Sequence, residues 1–163
     1  MGRVVGGLIR LAFTAWIAFF VGALAYAASR RRQAPPRPAE DSNEIALAAT
    51  FEPLEFRSTA PAFRGGTVEC WFGGGEVDLT GATLDASGAT LRATAVFGGG
   101  SLIVPDGWQV ENRVVGIFGG IGDGRDRVPE PGAPRLVLEG VALFGGWGIV
   151  SGSQNGGAAG GTT

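Results

Sequence analysis

A chain of 163 residues has room for one compact domain plus an anchor and tails, and its 30 glycines call for a structural reason. All 13 basic residues are Arg, so the chain lacks an imidazole base, a His metal ligand, a Schiff-base lysine and a phosphate-loop lysine; Cys70 is the only cysteine, which excludes an internal disulfide and a thiolate zinc cage. The net charge of −2 divides into +6 over residues 1–38 and −8 over residues 39–163, so the larger part of the chain repels phosphate backbones and no nucleic-acid partner is expected.

Residues 1–32 read as a transmembrane anchor with a basic flank. Leu11 to Ala28 carry no charge, and as a helix they span about 27 Å, close to the hydrocarbon thickness of a bilayer. Arg3 and Arg10 precede the run, and Arg30, Arg31, Arg32 and Arg37 follow it. The arginine excess after the run predicts a single-pass protein of the plasma (inner) membrane with its main domain in the cytoplasm. The rival reading is a cleaved signal peptide, with Ala25-Tyr26-Ala27 as the small-x-small site. Residues 33–42, QAPPRPAEDS, predict an extended proline-rich spacer reaching about 30 Å; a PxxP ligand is the weaker alternative.

Residues 43–150 predict an all-β domain. Phe72-Gly73-Gly74, Phe97-Gly98-Gly99, Phe118-Gly119-Gly120 and Phe144-Gly145-Gly146 repeat one motif at spacings of 25, 21 and 26 residues, with Phe63-Arg64-Gly65-Gly66 as a looser first copy. Apolar and polar residues alternate around each motif, as in Leu91, Ala93 and Ala95 before Phe97 and Leu102 and Val104 after it, which is the period of a strand. Equal spacing of one corner motif predicts a short β-solenoid of stacked coils. On this reading the glycines provide positive φ and close approach between coils, and the phenylalanines fill the corners from inside. An antiparallel sandwich is the alternative architecture. Residues 151–163, rich in glycine and without a large side chain, are expected to be disordered.

Candidate chemistry is sparse. Asp123 and Asp126 in GGIGDGRDR suggest calcium, but Asp123 falls one position early for a GGxGxD nonapeptide, and local pairing with Arg125 and Arg127 is the simpler reading. Glu69, Glu76, Asp78 and Asp85 would make a carboxylate groove only if one sheet face gathered them. Cys70 reads as a buried small hydrophobe. Trp108, after the turn Pro105-Asp106-Gly107, is expected to be half exposed and is the candidate partner contact, whereas Trp71 and Trp147 read as core. No catalytic residue, cofactor or metal is assigned, and the chain is expected not to be an enzyme.

The succession EFRSTAPAFRGG (55–66), WFGGGEVDLTGATLD (71–85), AVFGGGSLIVPDGWQV (95–110) and LEGVALFGGWGIV (138–150) resembles the C-terminal, or toastrack, domain of LiaF-like cell-wall-active antibiotic response proteins. The resemblance covers residues 44–150. It implies a right-handed single-stranded β-helix fused to membrane segments, acting in envelope-stress sensing and, in one branch, restraining a membrane sensor kinase. The functional expectation is therefore a membrane-anchored, non-enzymatic regulator or scaffold acting through protein contacts. Two alternatives stand beside it: a self-assembling, bactofilin-like structural scaffold, and an exported adhesin or glycan-binding module.

Overall fold

The structure, a computed structural model, describes residues 2–32, 36–125 and 131–155. The chain divides into two units, Met1–Ala34 and Pro35–Thr163. The first is a single helix, α1 (Gly2–Arg32), which runs on through the three arginines. Its window Ile9–Tyr26, of mean hydropathy 1.7, is long and apolar enough to cross a membrane; a signal sequence satisfies the same test. Two hydroxyls bond back to the helix's own backbone: that of Thr14 donates to the Arg10 carbonyl, and that of Ser29 to the Tyr26 carbonyl at 2.7 Å. Such local bonds hide hydroxyls that a bilayer could not satisfy.

The second unit consists of ten strands: β1 (Glu44–Thr50), β2 (Leu54–Arg57), β3 (Gly65–Trp71), β4 (Gly74–Asp78), β5 (Ala89–Val96), β6 (Gly99–Val104), β7 (Gln109–Ile117), β8 (Gly120–Asp123), β9 (Arg135–Leu143) and β10 (Gly146–Ser151), followed by the short helix α2 (Gly152–Asn155). They form two five-stranded sheets, β1-β3-β5-β9-β7 and β2-β4-β6-β10-β8. Every pairing between them is parallel, which excludes the antiparallel sandwich. Each coil takes one strand from each sheet, joined at a Phe-Gly corner in all but the first, where the corner is Phe51-Glu52-Pro53.

The coils do not stack in chain order. The fifth, β9–β10, lies between the third, β5–β6, and the fourth, β7–β8. Consequently β7 pairs only with β9, and β8 only with β10, among the described strands. Consecutive stacking was the natural expectation from the repeat, but a parallel neighbour with the same alternation fits whichever coil it came from.

The core lies between the sheets and under the loops. Leu47, Val68 and Ala93 stand in register in the first sheet, as do Phe56, Val77, Leu102 and Ile149 in the second, all buried. Truncating a fully buried leucine here, such as Leu91 or Leu138, removes about 2–5 kcal/mol. Phe63 is also wholly buried, but under the loop side: it forms an isolated bridge with Leu84 and stacks on Trp108 at 6.4 Å. It is thus a core residue and not a first copy of the corner. Phe51 takes that place instead.

Both predicted tails need correction where they are described. Residues 40–43 make a turn along the first coil, where the Thr59 and Arg64 amides donate to the carbonyls of Glu40 and Asn43 at 2.7 Å each. Ser151 ends β10 and is buried, and residues 152–155 form α2, so order extends beyond Val150. Residues 33–35 of the spacer and 156–163 of the tail lie outside the described residues.

The corner glycines are there because backbones approach too closely for a side chain. A Cβ on Gly98 would lie 1.9 Å from the Gly73 carbonyl oxygen; on Gly145, 1.9 Å from that of Gly98; on Gly119, 1.8 Å from that of Gly145. Gly99 and Gly146 face the next coil in the opposite direction just as tightly, at 1.6 and 2.1 Å. Positive φ is not their role, since the positive-φ glycines are Gly65, Gly66, Gly88, Gly132 and Gly140. Gly98→Ala is expected to cost more than about 3 kcal/mol, because backbone must move to admit the methyl. Gly107→Ala, whose methyl would meet nothing within 4 Å, should stay within about 0.5 kcal/mol. Denaturant unfolding of the detergent-solubilised chain compares the two.

Candidate interaction surface

Each corner begins with a phenylalanine in the left-handed region: φ is 59° at Phe51, 54° at Phe72, 53° at Phe97, 56° at Phe118 and 53° at Phe144. An L-residue pays roughly 1–2 kcal/mol for that conformation, and it turns the side chain outward. The rings therefore lie outside the core, which overturns the expectation that they fill the corners from inside. They stack in spatial order Phe51, Phe72, Phe97, Phe144, Phe118, with centroids 5.1, 5.1, 4.9 and 5.0 Å apart and planes within 14° of parallel. Parallel strands repeat at about 4.8 Å, so the sheet spacing itself sets the rings at stacking distance. Each contact adds about 0.5–1.5 kcal/mol beyond its buried area, enough for two neighbours to offset the backbone cost.

Beside the ladder, residues just before each corner form a row in register, Thr50, Trp71, Val96, Leu143 and Ile117, of which Thr50 and Val96 are buried and Ile117 is exposed. The next outer row reads Ala48, Glu69, Thr94, Val141 and Val115. Both rows are more aliphatic on β9 and β7 than at the β1 end. Val115, Ile117, Phe118, Val141 and Phe144 are all exposed, Phe118 to 79%. Aromatic and aliphatic residues thus form one outward apolar strip, densest on the last two coils in space. Single exposed hydrophobics mean little, but a contiguous strip is unusual on a soluble surface and makes this face the candidate interaction surface.

The other candidates are placed differently. Trp108 is buried at 6% exposure, against Phe63, and so does not present a surface to a partner; its expected half-exposure is corrected. Trp147 is core, as anticipated, while Trp71 is only partly buried in the row beside the ladder. The carboxylates do not gather: Glu69 lies on β3 in one sheet, Glu76 and Asp78 on β4 in the other, and Asp85 in a loop. Asp78 accepts from the Thr80 amide and hydroxyl at 2.8 and 2.6 Å and pairs with Arg57 at 3.2 Å. The Ser87 hydroxyl and amide hold the Asp85 carboxyl below its ordinary range.

Asp123 is held by Arg125, whose Nε and Nη2 donate to its two oxygens at 2.9 and 2.7 Å, and this hydrogen-bonding is the main cause of its lowered pKa. The same guanidinium donates through Nη1 to the Trp108 carbonyl at 2.9 Å, tying β8 to the turn before β7. Asp126 and Arg127 lie outside the described residues. Among the described residues, no three Cys, Asp or Glu side chains converge as a cation site.

Comparison with family models, with curated proteins and with solved structures finds no match to this chain.

Phe97→Gly and Phe97→Ala separate ring from backbone. Both lose two stacking contacts, together about 1–3 kcal/mol, but glycine also relieves the left-handed strain. Alanine should therefore be the more destabilising, by about 1 kcal/mol, in the same unfolding measurement.

Burial pushes the Cys70 thiol up to about 11 from an ordinary 9.0. In the window between those values the unfolded chain gives up the proton and the folded one keeps it. Stability is thus fully present below pH 9 and falls as pH rises toward 11, by up to about 1.4 kcal/mol per unit. Unfolding measured across that range should show the decline, and Cys70→Ala should remove this component of it.

Proposed function

We propose that the chain is a membrane-tethered, non-enzymatic regulator or scaffold of the bacterial envelope-stress response, whose β domain works through protein contacts. The observation that carries the reading is the outward aromatic ladder with its apolar strip over Val115, Ile117, Val141 and Phe144. A surface of rigid aromatic rings offers contact area at low entropic cost, while the Asp78 and Asp123 carboxylates are paired and the Cys70 thiol is buried. On this reading the coils wind as a right-handed single-stranded β-helix of the LiaF-like, toastrack kind. Helix α1 is the single plasma-membrane anchor, and the domain faces the cytoplasm, where a membrane sensor kinase is the fitting partner.

Photo-crosslinkers in place of Phe144 and Val141, in intact membranes with and without a cell-wall antibiotic, test the partner. A specific membrane protein captured at both positions, in an amount that changes with the antibiotic, is the expected result. Capture of none under either condition defeats the reading. A C-terminal reporter fusion checks the orientation, with cytoplasmic activity expected.

A further inference from the structure

The two ends of the stack differ. At the first coil, residues 40–43 run along the loop side, and Pro53 at the corner has no N–H to offer a further strand. At the other end, β7 is a nine-residue edge strand on which Asn112, Arg113, Val115, Gly116 and Ile117 are exposed. Long exposed edges template pairing with another chain unless they are blunted.

The glycine columns show that this end keeps room for more backbone. A Cβ on Gly74, Gly99 or Gly146 would run into the next coil's carbonyl oxygen at 2.9, 1.6 or 2.1 Å. Gly120 is last in that column, and around it, as around Gly122, there is nothing within 4 Å. The residue that close approach demands elsewhere is thus present where no strand of the described domain approaches.

The residues of β7 then select the occupant. Val110, Asn112 and Val114 stand beside the inward Leu136, Leu138 and Gly140, and Glu111 and Arg113 beside the outward Val137 and Glu139. The Val114 amide donates to Asn112 Oδ1 at 3.0 Å, so the even-numbered amides face the open edge. A second β7 laid antiparallel keeps inward against inward in three central registers. Centred on residue 111, Glu111 meets Glu111; centred on 113, Arg113 meets Arg113. Centred on Asn112, Glu111 meets Arg113 twice, and Val110 meets Val114 twice. Like charges directly opposite destabilise a pair and opposite charges support it, so only the last register is self-complementary in charge and in apolar pattern.

We propose that the β7–β8 end is a two-fold interface in which two copies of this chain pair β7 antiparallel about Asn112. In the single chain, the Asn112 side chain occupies the Val114 amide that the second copy's Val110 carbonyl takes in the pair. The proposal does not rest on the stress-response reading, because pairing at this edge forms or fails whatever the aromatic ladder contacts.

The test uses the full chain in membranes, mildly oxidised and run on non-reducing gels. Directly opposed hydrogen-bonded residues lie about 5.5 Å apart between Cα atoms, within disulfide reach. Asn112→Cys should therefore give a covalent dimer. Gln109→Cys, displaced by about 20 Å from its own copy in this register, should not, and the wild type controls for the buried Cys70. Glu111→Arg should weaken the Asn112→Cys dimer up to about tenfold, since the charge pair occurs twice, and adding Arg113→Glu should restore most of it. Equal crosslinking at 109 and 112, crosslinking at neither, or indifference to the charge changes would each overturn the proposal.

Discussion

The β domain depends on one constraint: at the glycine corners, from the second coil onward, a backbone carbonyl of a neighbouring coil crowds the place where a side chain would be. The oxygen of Gly73 against Gly98, that of Gly98 against Gly145 and that of Gly145 against Gly119 repeat the contact along the stack. Hydrogen bonds accompany it, as between the Gly99 amide and the Gly73 carbonyl and between the Gly146 amide and the Gly98 carbonyl, both 3.0 Å. Backbone this close leaves no alternative to glycine, and it holds both sheets in one register across the corner.

The phenylalanines turn that corner. The reversal of chain direction falls on the residue before the glycines at Phe72, Phe97, Phe118 and Phe144, and before Glu52-Pro53 at Phe51, and all five accept a left-handed conformation there. A left-handed residue aims its side chain away from the core, where the sheet repeat brings the rings within stacking distance. Local strain and ladder stacking are therefore one device, with the cost at each rung offset by the neighbours. The end rungs have a ring on one side only, and Phe51 and Phe118 are exposed to 50% and 79%.

Insertion of β9–β10 between the third and fourth coils secures the far end of the stack. The coil that carries Val115, Ile117 and Phe118 is held by the last coil in the sequence, and by Arg125 reaching back to the Trp108 carbonyl. The part of the β domain that exposes the most apolar surface is thus held in place by the last strands in the sequence. The outward apolar strip and the open β7 edge both depend on that insertion.

Much of this was legible in the residues. Alternation around the corners showed strands, and the recurrence of Phe-Gly-Gly showed a stack of coils. The uncharged run Leu11 to Ala28, which overlaps the window Ile9–Tyr26, showed a helix fit to cross a membrane, since length and hydropathy are properties of the chain itself. Phe51 was legible too, standing 21 residues before Phe72 as Phe97 stands before Phe118, but Glu52-Pro53 in place of glycines hid it. What only the tertiary structure decided is which side of the corner the rings take, that Phe63 and Trp108 are core, and where the last coil inserts. Ring direction follows from the sign of φ, which is set by a neighbouring coil and not by local preference. The order of coils is decided by how the strands pack against one another in three dimensions, and the alternation is alike on each, so the repeat shows the pattern of a rung but not its place in the stack.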